Sequence, residues 1–359
     1  MINNRIELFS PLQIGPVTIK NRIAIPPMCM YRAKSGLVQI FHKVHYGSLV
    51  CSGAGLLTIE ATAIRPDGRI TDACLGLWSD ECEAALKRML EVMHDIAPDV
   101  KVFIQLNHAG RKASTSAASG EPLKPLYGGW GTLAPSPIAF AQDWPTPKEL
   151  LPEEIEDIEQ AFVNAAQRAV RAGIDGIMIH AAHGYLIHEF LSPLSNHRID
   201  EYGGALEGRM RFGLEIMRRV KLAVPANVAV GVRVSATDWV DDGLQPDDVV
   251  TFLNHAKAQG CDFVDVSTGG LIRADIPVAP GYQVPFASEI KKATGLPTIA
   301  AGLITEPVQA ETILRSGEAD AVDIGRAMLR DPRWGWHAAQ ALGVEGLVMP
   351  NNVAFGYRS

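Results

Sequence analysis

Gly176-Ile177-Met178-Ile179, followed by His180-Ala181-Ala182-His183-Gly184-Tyr185, is the stretch on which the reading of this chain turns. The apolar run has the length and composition of a buried strand, and two imidazoles and a phenol crowd its end. Imidazole N–H groups can hold a substrate oxygen as it gains negative charge, and a phenol nearby can deliver a proton. His180, His183 and Tyr185 therefore suit the reduction of a polarised double bond. Each of them alone reads as readily as a packed, hydrogen-bonded side chain. His-x-x-His is also a zinc spacing, but no third ligand follows at a familiar distance. His188-Glu189 does not continue into H-E-x-x-H, so no metal is expected.

Seven further runs of the same kind flank this one: Arg22-Ile25, Leu56-Glu60, Lys101-Leu106, Val228-Val234, Phe263-Ser267, Thr298-Ala301 and Ala321-Ile324. Most are followed by helical patterns, the alternation of parallel strands with crossover helices, and eight strands favour a closed (β/α)8 TIM barrel of the α/β class. Leu86, Met89, Leu90 and Met93 form one apolar helical stripe after the caps Ser79 and Asp80. Ile155, Ile158, Phe162, Ala165 and Ala169 form another, which Gly173 stops.

The chain has 359 residues, 47% of them hydrophobic, which is enough for two ordinary domains or for one barrel with insertions. The strand count selects one barrel domain over residues 1–359, with a long insertion after strand 3 at 107–152. That insertion is rich in Pro, Gly, Ser and Ala and reads as a lid or as an inert excursion. A net charge of −7 and the lack of a basic block argue against a nucleic-acid partner. No apolar run spans a bilayer, the start resembles no signal peptide, and a cytoplasmic enzyme is expected. Five scattered cysteines without C-x-x-C read as free thiols.

In such a barrel one face collects Pro27-Met28-Cys29, Ala61, Gln105, the His180/His183/Tyr185 trio, Arg233, Ser267, Gly302 and Gly325-Arg326. The glycines after the seventh and eighth strands stand where barrels bind phosphate through backbone N–H groups, and Arg326 adds charge. No G-x-G-x-x-G follows a strand, so a nicotinamide cofactor is expected to visit as a diffusing substrate while a flavin is held tightly. A guanidinium at Arg233 beside the flavin N1/O2 edge would stabilise negative charge by on the order of 4 kcal/mol at about 4 Å, before desolvation is deducted. It reads equally well as a structural ion pair. Gln105 could meet the pyrimidine edge or tie down a loop.

The motifs Ile25-Pro26-Pro27-Met28-Cys29-Met30-Tyr31, Gln105 through Lys112, His180 through Tyr185 and Ser192 through Arg198, taken in order, resemble the old yellow enzyme family. The resemblance runs through nearly the whole chain and points to the thermophilic-like branch of ene-reductases and xenobiotic reductases. It implies a barrel that binds FMN non-covalently, is reduced by NADPH or NADH, and passes hydride to a small-molecule electron acceptor such as an activated alkene. On the matching positions His180 and His183 would bind the acceptor's oxygen and Tyr185 would protonate the α-carbon. Cys29 would tune the flavin and Tyr31 would line the substrate site. Pro26 to Met28, Ala61, Gln105, Arg233, Gly325 and Arg326 match cofactor-binding positions; Lys112 reads as a weaker candidate or as solvated. His197, Arg198 and Tyr202 read as structural.

Two departures from the family pattern stand out. The segment from Ser116 to Gly131 is longer than in shorter members, and the tail Phe355-Gly356-Tyr357-Arg358 matches only loosely the segment that reaches into a neighbouring subunit of a homo-oligomer. Alternatives left open are a related flavin barrel acting on nitro compounds or quinones, and a non-catalytic flavin-binding regulator.

Overall fold

Eight strands close into an all-parallel barrel in chain order in the computed structural model, which describes residues 6–345 and Gly356. They are β1 (Ile23–Ile25), β2 (Leu56–Ala63), β3 (Lys101–Asn107), β4 (Gly176–Ala181), β5 (Ala229–Ser235), β6 (Val264–Ser267), β7 (Thr298–Ala300) and β8 (Ala321–Asp323). Strand β8 pairs back onto β1, with Val322 opposite Ile23. All eight expected strands are present, with ends shifted by a residue or two. The largest difference is β2, which continues past Glu60 to Ala63. The charge at Glu60 reads as a strand end in sequence, but a bulge between Ile59 and Thr62 lets the strand carry it into a buried site and go on pairing with β3.

Because side chains alternate along a strand, each barrel strand splits its residues between two cores. The outward set, including Ile25, Leu57, Ile59, Ile104, Ile177, Val232 and Val266, packs against the helices. The inward set is a separate cluster built from Ala24, Leu56, Phe103, Met178, Ala229, Phe263, Ile299 and Ala321. Its lower end is closed by an antiparallel hairpin, Leu12–Ile14 with Val17–Ile19, whose Ile14, Val17 and Ile19 join the same cluster. Phe103 and Phe263 fill the centre, their ring centroids 5.4 Å apart. Facing them are Gly176 and Gly231, where an added Cβ would lie 2.5 Å and 2.3 Å from the rings. Two large rings fit one small barrel only because two neighbours have no side chain.

The helices follow the expected stripes. Helix α1 spans Ile40–Val50, α2 Asp80–Ile96 and α3 Pro152–Ala172. Ser79 caps α2 by accepting from the Cys82 N–H, and Gly173 ends α3 at φ 107°, a left-handed turn that glycine adopts without strain. Between β3 and α3 the chain is not structureless. It contains the turns Gly110–Lys112 and Pro125–Tyr127 and two short paired strands, Leu133–Ala134 and Lys148–Glu149. Arg198 holds it down by donating to the carbonyls of Pro135 and Leu150. The five cysteines are free, and among the described residues no helix is long and apolar enough to cross a membrane.

Replacing Phe263 by Ala should empty the barrel centre and lower the unfolding free energy by about 3–5 kcal/mol, as for other fully buried aromatic truncations. A urea melt with an unchanged slope and a midpoint equal to that of the parent would contradict this account of the barrel floor.

Candidate active site

Counting upward by twos from the apolar floor leads to polar residues on most of the strands: Gln105 above Phe103, His180 above Met178, Arg233 above Gly231, Asp265 and Ser267 above Phe263, and Asp323 above Ala321. The register places His180 opposite Arg233 and Arg233 opposite Asp265. A cavity of about 300 Å³ opens there, at the carboxyl ends of the strands. Seven of the sequence-expected residues line it: Pro26, His183, Arg233, Ser267, Gly302, Gly325 and Arg326. Gln283 and Asp323 stand in the same wall.

Cys29, Tyr31, Ala61 and Tyr185 gather in an adjoining apolar cluster with Ile70, Cys74 and Trp130. His180 joins the two groups. Its ring stands edge-on to His183 at 5.2 Å and edge-on to Tyr185 at 5.0 Å. Of the remaining expected residues, Gln105 is buried and reaches the Met178 sulfur at 3.4 Å, so it approaches the barrel interior rather than a loop. Met28 lies 3.7 Å from where a Cβ on Gly325 would stand, and Pro27 is half-buried beside it. Tyr357 and Arg358 lie outside the described residues. Of the three residues read as structural, Arg198 pairs with Asp200 and Tyr202 bonds Glu215, while His197 is exposed.

The trio is held by backbone geometry. His183 adopts φ +58° and Gly184 φ +72°, so the chain turns sharply after β4 and returns Tyr185 toward His180. The Gly184 N–H donates to Nδ1 of His188 at 2.9 Å, and Nε2 of His188 faces Asp238 at 3.0 Å, both side chains fully buried. The His183 N–H donates to Ser235 at 3.0 Å. Nδ1 of His180 accepts from the Ala182 N–H, which leaves Nε2 to carry the ring proton. Nε2 of His183 meets the Ser267 hydroxyl at 2.7 Å; when Ser267 donates, Nδ1 of His183 carries the proton.

Burial, with Arg233 adding to it, holds both imidazoles well below their usual range, so they stay neutral donors. Burial also raises the Tyr185 phenol well above its usual range, which keeps its proton in place.

Arg233 is flanked by two acids, with Nε 3.4 Å from Asp265 and Nη2 3.8 Å from Asp323. Burial pushes both carboxyls up, and in Asp323 the charge of Asp265 adds to it. One guanidinium facing two buried acids favours a single shared proton between them. Nε of Arg233 and Oδ2 of Asp323 are buried, and their contacts to the guanidinium and carboxyl partners fall short of hydrogen-bond geometry. Such buried polar atoms at the cavity wall, with no close hydrogen bond of their own, fit a polar ring edge that takes and gives hydrogen bonds, as an isoalloxazine pyrimidine does. Gly302, at φ +117°, leaves the backbone bare at the wall, since a Cβ there would press Gln283 at 3.0 Å. With Arg326 alongside, the donor set fits FMN. Among the described residues no group of His, Cys, Asp and Glu is arranged to hold a metal ion.

Sequence reading passed over Glu60, which organises the Cys29 side. Its carboxylate accepts from the Met30 N–H at 3.0 Å and from the Tyr46 hydroxyl at 3.1 Å, and His42 of α1 lies 3.7 Å away. It thereby clamps the loop on which Tyr31 takes φ +50°. Asp265 and Asp323 could have been found by counting twos along the expected strands. Nothing local marks Tyr46 or His42, which arrive from another element.

The model of the NADH:flavin oxidoreductase / NADH oxidase family matches residues 7–345 of this chain. The NADPH dehydrogenase of Bacillus subtilis (strain 168) is 46% identical over 341 residues, which are 94% of this chain and 96% of that protein. The NADPH dehydrogenase of Listeria innocua serovar 6a is 46% identical over 339 residues, covering 94% and 95% of the two chains. Among solved structures, the old yellow enzyme homologue from Zymomonas mobilis superposes with a TM-score of 0.77 at 27% identity, covering 95% of this chain and 94% of its own. Morphinone reductase does so with a TM-score of 0.77 at 26% identity, covering 93% and 89%.

Burial pushes Glu60 from its ordinary 4.5 up to about 7. Between those values the folded protein holds a proton that the unfolded chain has released, so stability falls as pH rises through this window, by on the order of 3 kcal/mol. Glu60→Gln should flatten this limb of the stability–pH curve. Parallel curves for variant and parent, read from urea melts across the window, would overturn the assignment.

Proposed function

The chain belongs to the NADH:flavin oxidoreductase / NADH oxidase family, the old yellow enzyme family, and is an FMN-dependent NAD(P)H oxidoreductase; from that premise we propose that it is an ene-reductase acting on α,β-unsaturated carbonyl and nitro compounds. The observation that supports this reading is the meeting of two neutral imidazoles and a protonated phenol, His180, His183 and Tyr185, beside the Arg233 cavity. When bound, the flavin supplies a hydride, taken from the nicotinamide donor in one half-reaction and given to the acceptor's β-carbon in the other.

The side chains do the rest. His180 and His183 receive the carbonyl or nitro oxygen by hydrogen bonds that strengthen as the oxygen becomes negative; a donor of this kind contributes roughly 3 kcal/mol in the transition state. Their neutrality matters, since a charged imidazole would transfer its proton to the oxygen instead of polarising it. Tyr185 delivers its phenolic proton to the α-carbon. Arg233, with the proton shared by Asp265 and Asp323, faces the pyrimidine edge, where Gln105 offers both donor and acceptor. Pro26, Pro27, Met28, Cys29 and Ala61 wall the flavin, Tyr31 lines the acceptor site, and Gly302, Gly325 and Arg326 take the phosphate. The segment 107–152 of the single domain acts as the lid, and the enzyme works as a cytoplasmic homo-oligomer.

The purified protein should be yellow, should bleach anaerobically with NADPH, and should recover its colour with cyclohexenone or maleimide. Turnover of no alkene, nitro compound or quinone by a flavin that reduces normally would overturn the ene-reductase reading. His180→Ala should weaken binding of phenols, which mimic the enolate, by about a hundredfold. Tyr185→Phe should slow acceptor reduction by about ten- to a hundredfold with little change in phenol binding. Parent-like behaviour of both variants would remove the roles given to this trio.

A further inference from the structure

Lys112 has no part in the chemistry above, yet its surroundings are built around it. The ammonium donates to the carbonyl of His183 and to that of Gly270, each at 2.8 Å. These two carbonyls come from different loops, one after β4 and one after β6, and both residues have left-handed backbones, at φ +58° and +91°. The loops press together so closely that a Cβ on Gly270 would lie 2.7 Å from the Cα of His183, and one on Gly184 would lie 2.3 Å from the Gly270 carbonyl oxygen. On its other sides the ammonium lies 5.2 Å from the Tyr185 ring centroid and 4.7 Å from that of Phe140, in the segment after β3. Two carbonyl dipoles and two aromatic faces make a site for a cation, and the chain fills it with its own.

We propose that Lys112 is a positioning residue for acceptor binding, its ammonium holding the His183 backbone against the Gly270 loop and lending positive charge to the wall that receives the acceptor's oxygen. The inference rests on the reading of His180 and His183 given above. Two consequences separate it from a merely structural staple. The charge acts on the imidazoles, depressing both of them further, in the same direction as burial and Arg233. It also favours any ligand that brings negative charge to those imidazoles, so its loss should appear in the affinity for enolate mimics at constant flavin content. Burial pushes the Lys112 ammonium down only to about 8, with Glu189 opposing and Arg111 adding to the shift, so it is charged at neutral pH.

The test is phenol binding to the holoenzyme at neutral pH, followed by the flavin absorbance change, in the parent, Lys112→Met and Lys112→Arg. Flavin content and melting temperature are measured alongside. Lys112→Met should weaken phenol about tenfold while Lys112→Arg, which keeps a donor and a charge, should recover most of that loss. Equal affinities in parent and Lys112→Met overturn the proposal, and so does a loss as large in Lys112→Arg at unchanged flavin content. If Lys112→Met does not retain flavin, Phe140→Leu decides. By opening the ammonium to water it should weaken phenol about threefold, and a parent-like affinity would overturn the proposal. Should the parent itself show no phenol response, the reading of His180 and His183 fails and this inference with it; a response that ignores Lys112 sinks this inference alone.

Discussion

The tilted contact between Phe103 and Phe263, 5.4 Å apart inside the barrel, is the constraint on which the upper half of the molecule depends. A closed parallel barrel has no edges, so every second residue of every strand must go inside, and the interior has to be filled without voids. The two rings fill the floor because Gly176 and Gly231 make room, and the hairpin at Ile14–Val17 seals it from below. A dry floor means that the next residues upward are cut off from water on that side. There a guanidinium, two carboxyls and the imidazoles interact in a low-dielectric setting, and their charge states are set first by burial and then by one another.

That setting explains the chemistry at the mouth. Neutral imidazoles and a protonated phenol are unremarkable at neutral pH for isolated side chains. Here they are held in those states by burial and, for the imidazoles, by the neighbouring cation Arg233. The same low dielectric makes each buried polar atom without a close hydrogen bond expensive, so Nε of Arg233 and Oδ2 of Asp323, which have only longer ion-pair contacts, mark a wall that a polar ring completes.

The loops above the barrel are fixed by buried polar groups that never meet the reacting atoms. Glu60, with Tyr46, clamps the loop of Cys29 and Tyr31. His188, backed by Asp238, clamps the amide of Gly184. Arg111 spans the same face, donating to Ile138 in the segment after β3 and to Leu271 in the loop after β6. Glu60 stands on a different strand from the loop it holds, Asp238 backs the Gly184 turn from the loop after β5, and Arg111 reaches from the segment after β3 to the loop after β6. The precision of the site is therefore a property of the closed barrel, not of any single motif.

By itself the sequence determined the eight strands, their parallel order, the helical stripes and the position of His180, His183, Tyr185, Arg233 and Gly325-Arg326 at strand ends. These are local properties, since alternation, periodicity, capping and Gly placement act over a few residues. Even Asp265 and Asp323 were within reach of a count by twos along β6 and β8. Only the tertiary structure decided that Glu60 lies inside a strand, next to a tyrosine fourteen residues before it in sequence. The same is true of Lys112, which reads as a weaker cofactor-site candidate or as solvated in a line of text and is gripped by two carbonyls from loops 71 and 158 residues away. Burial and pairing of that kind depend on which segments the closed barrel brings face to face, and no local pattern encodes a contact whose partner is supplied by closure of the ring.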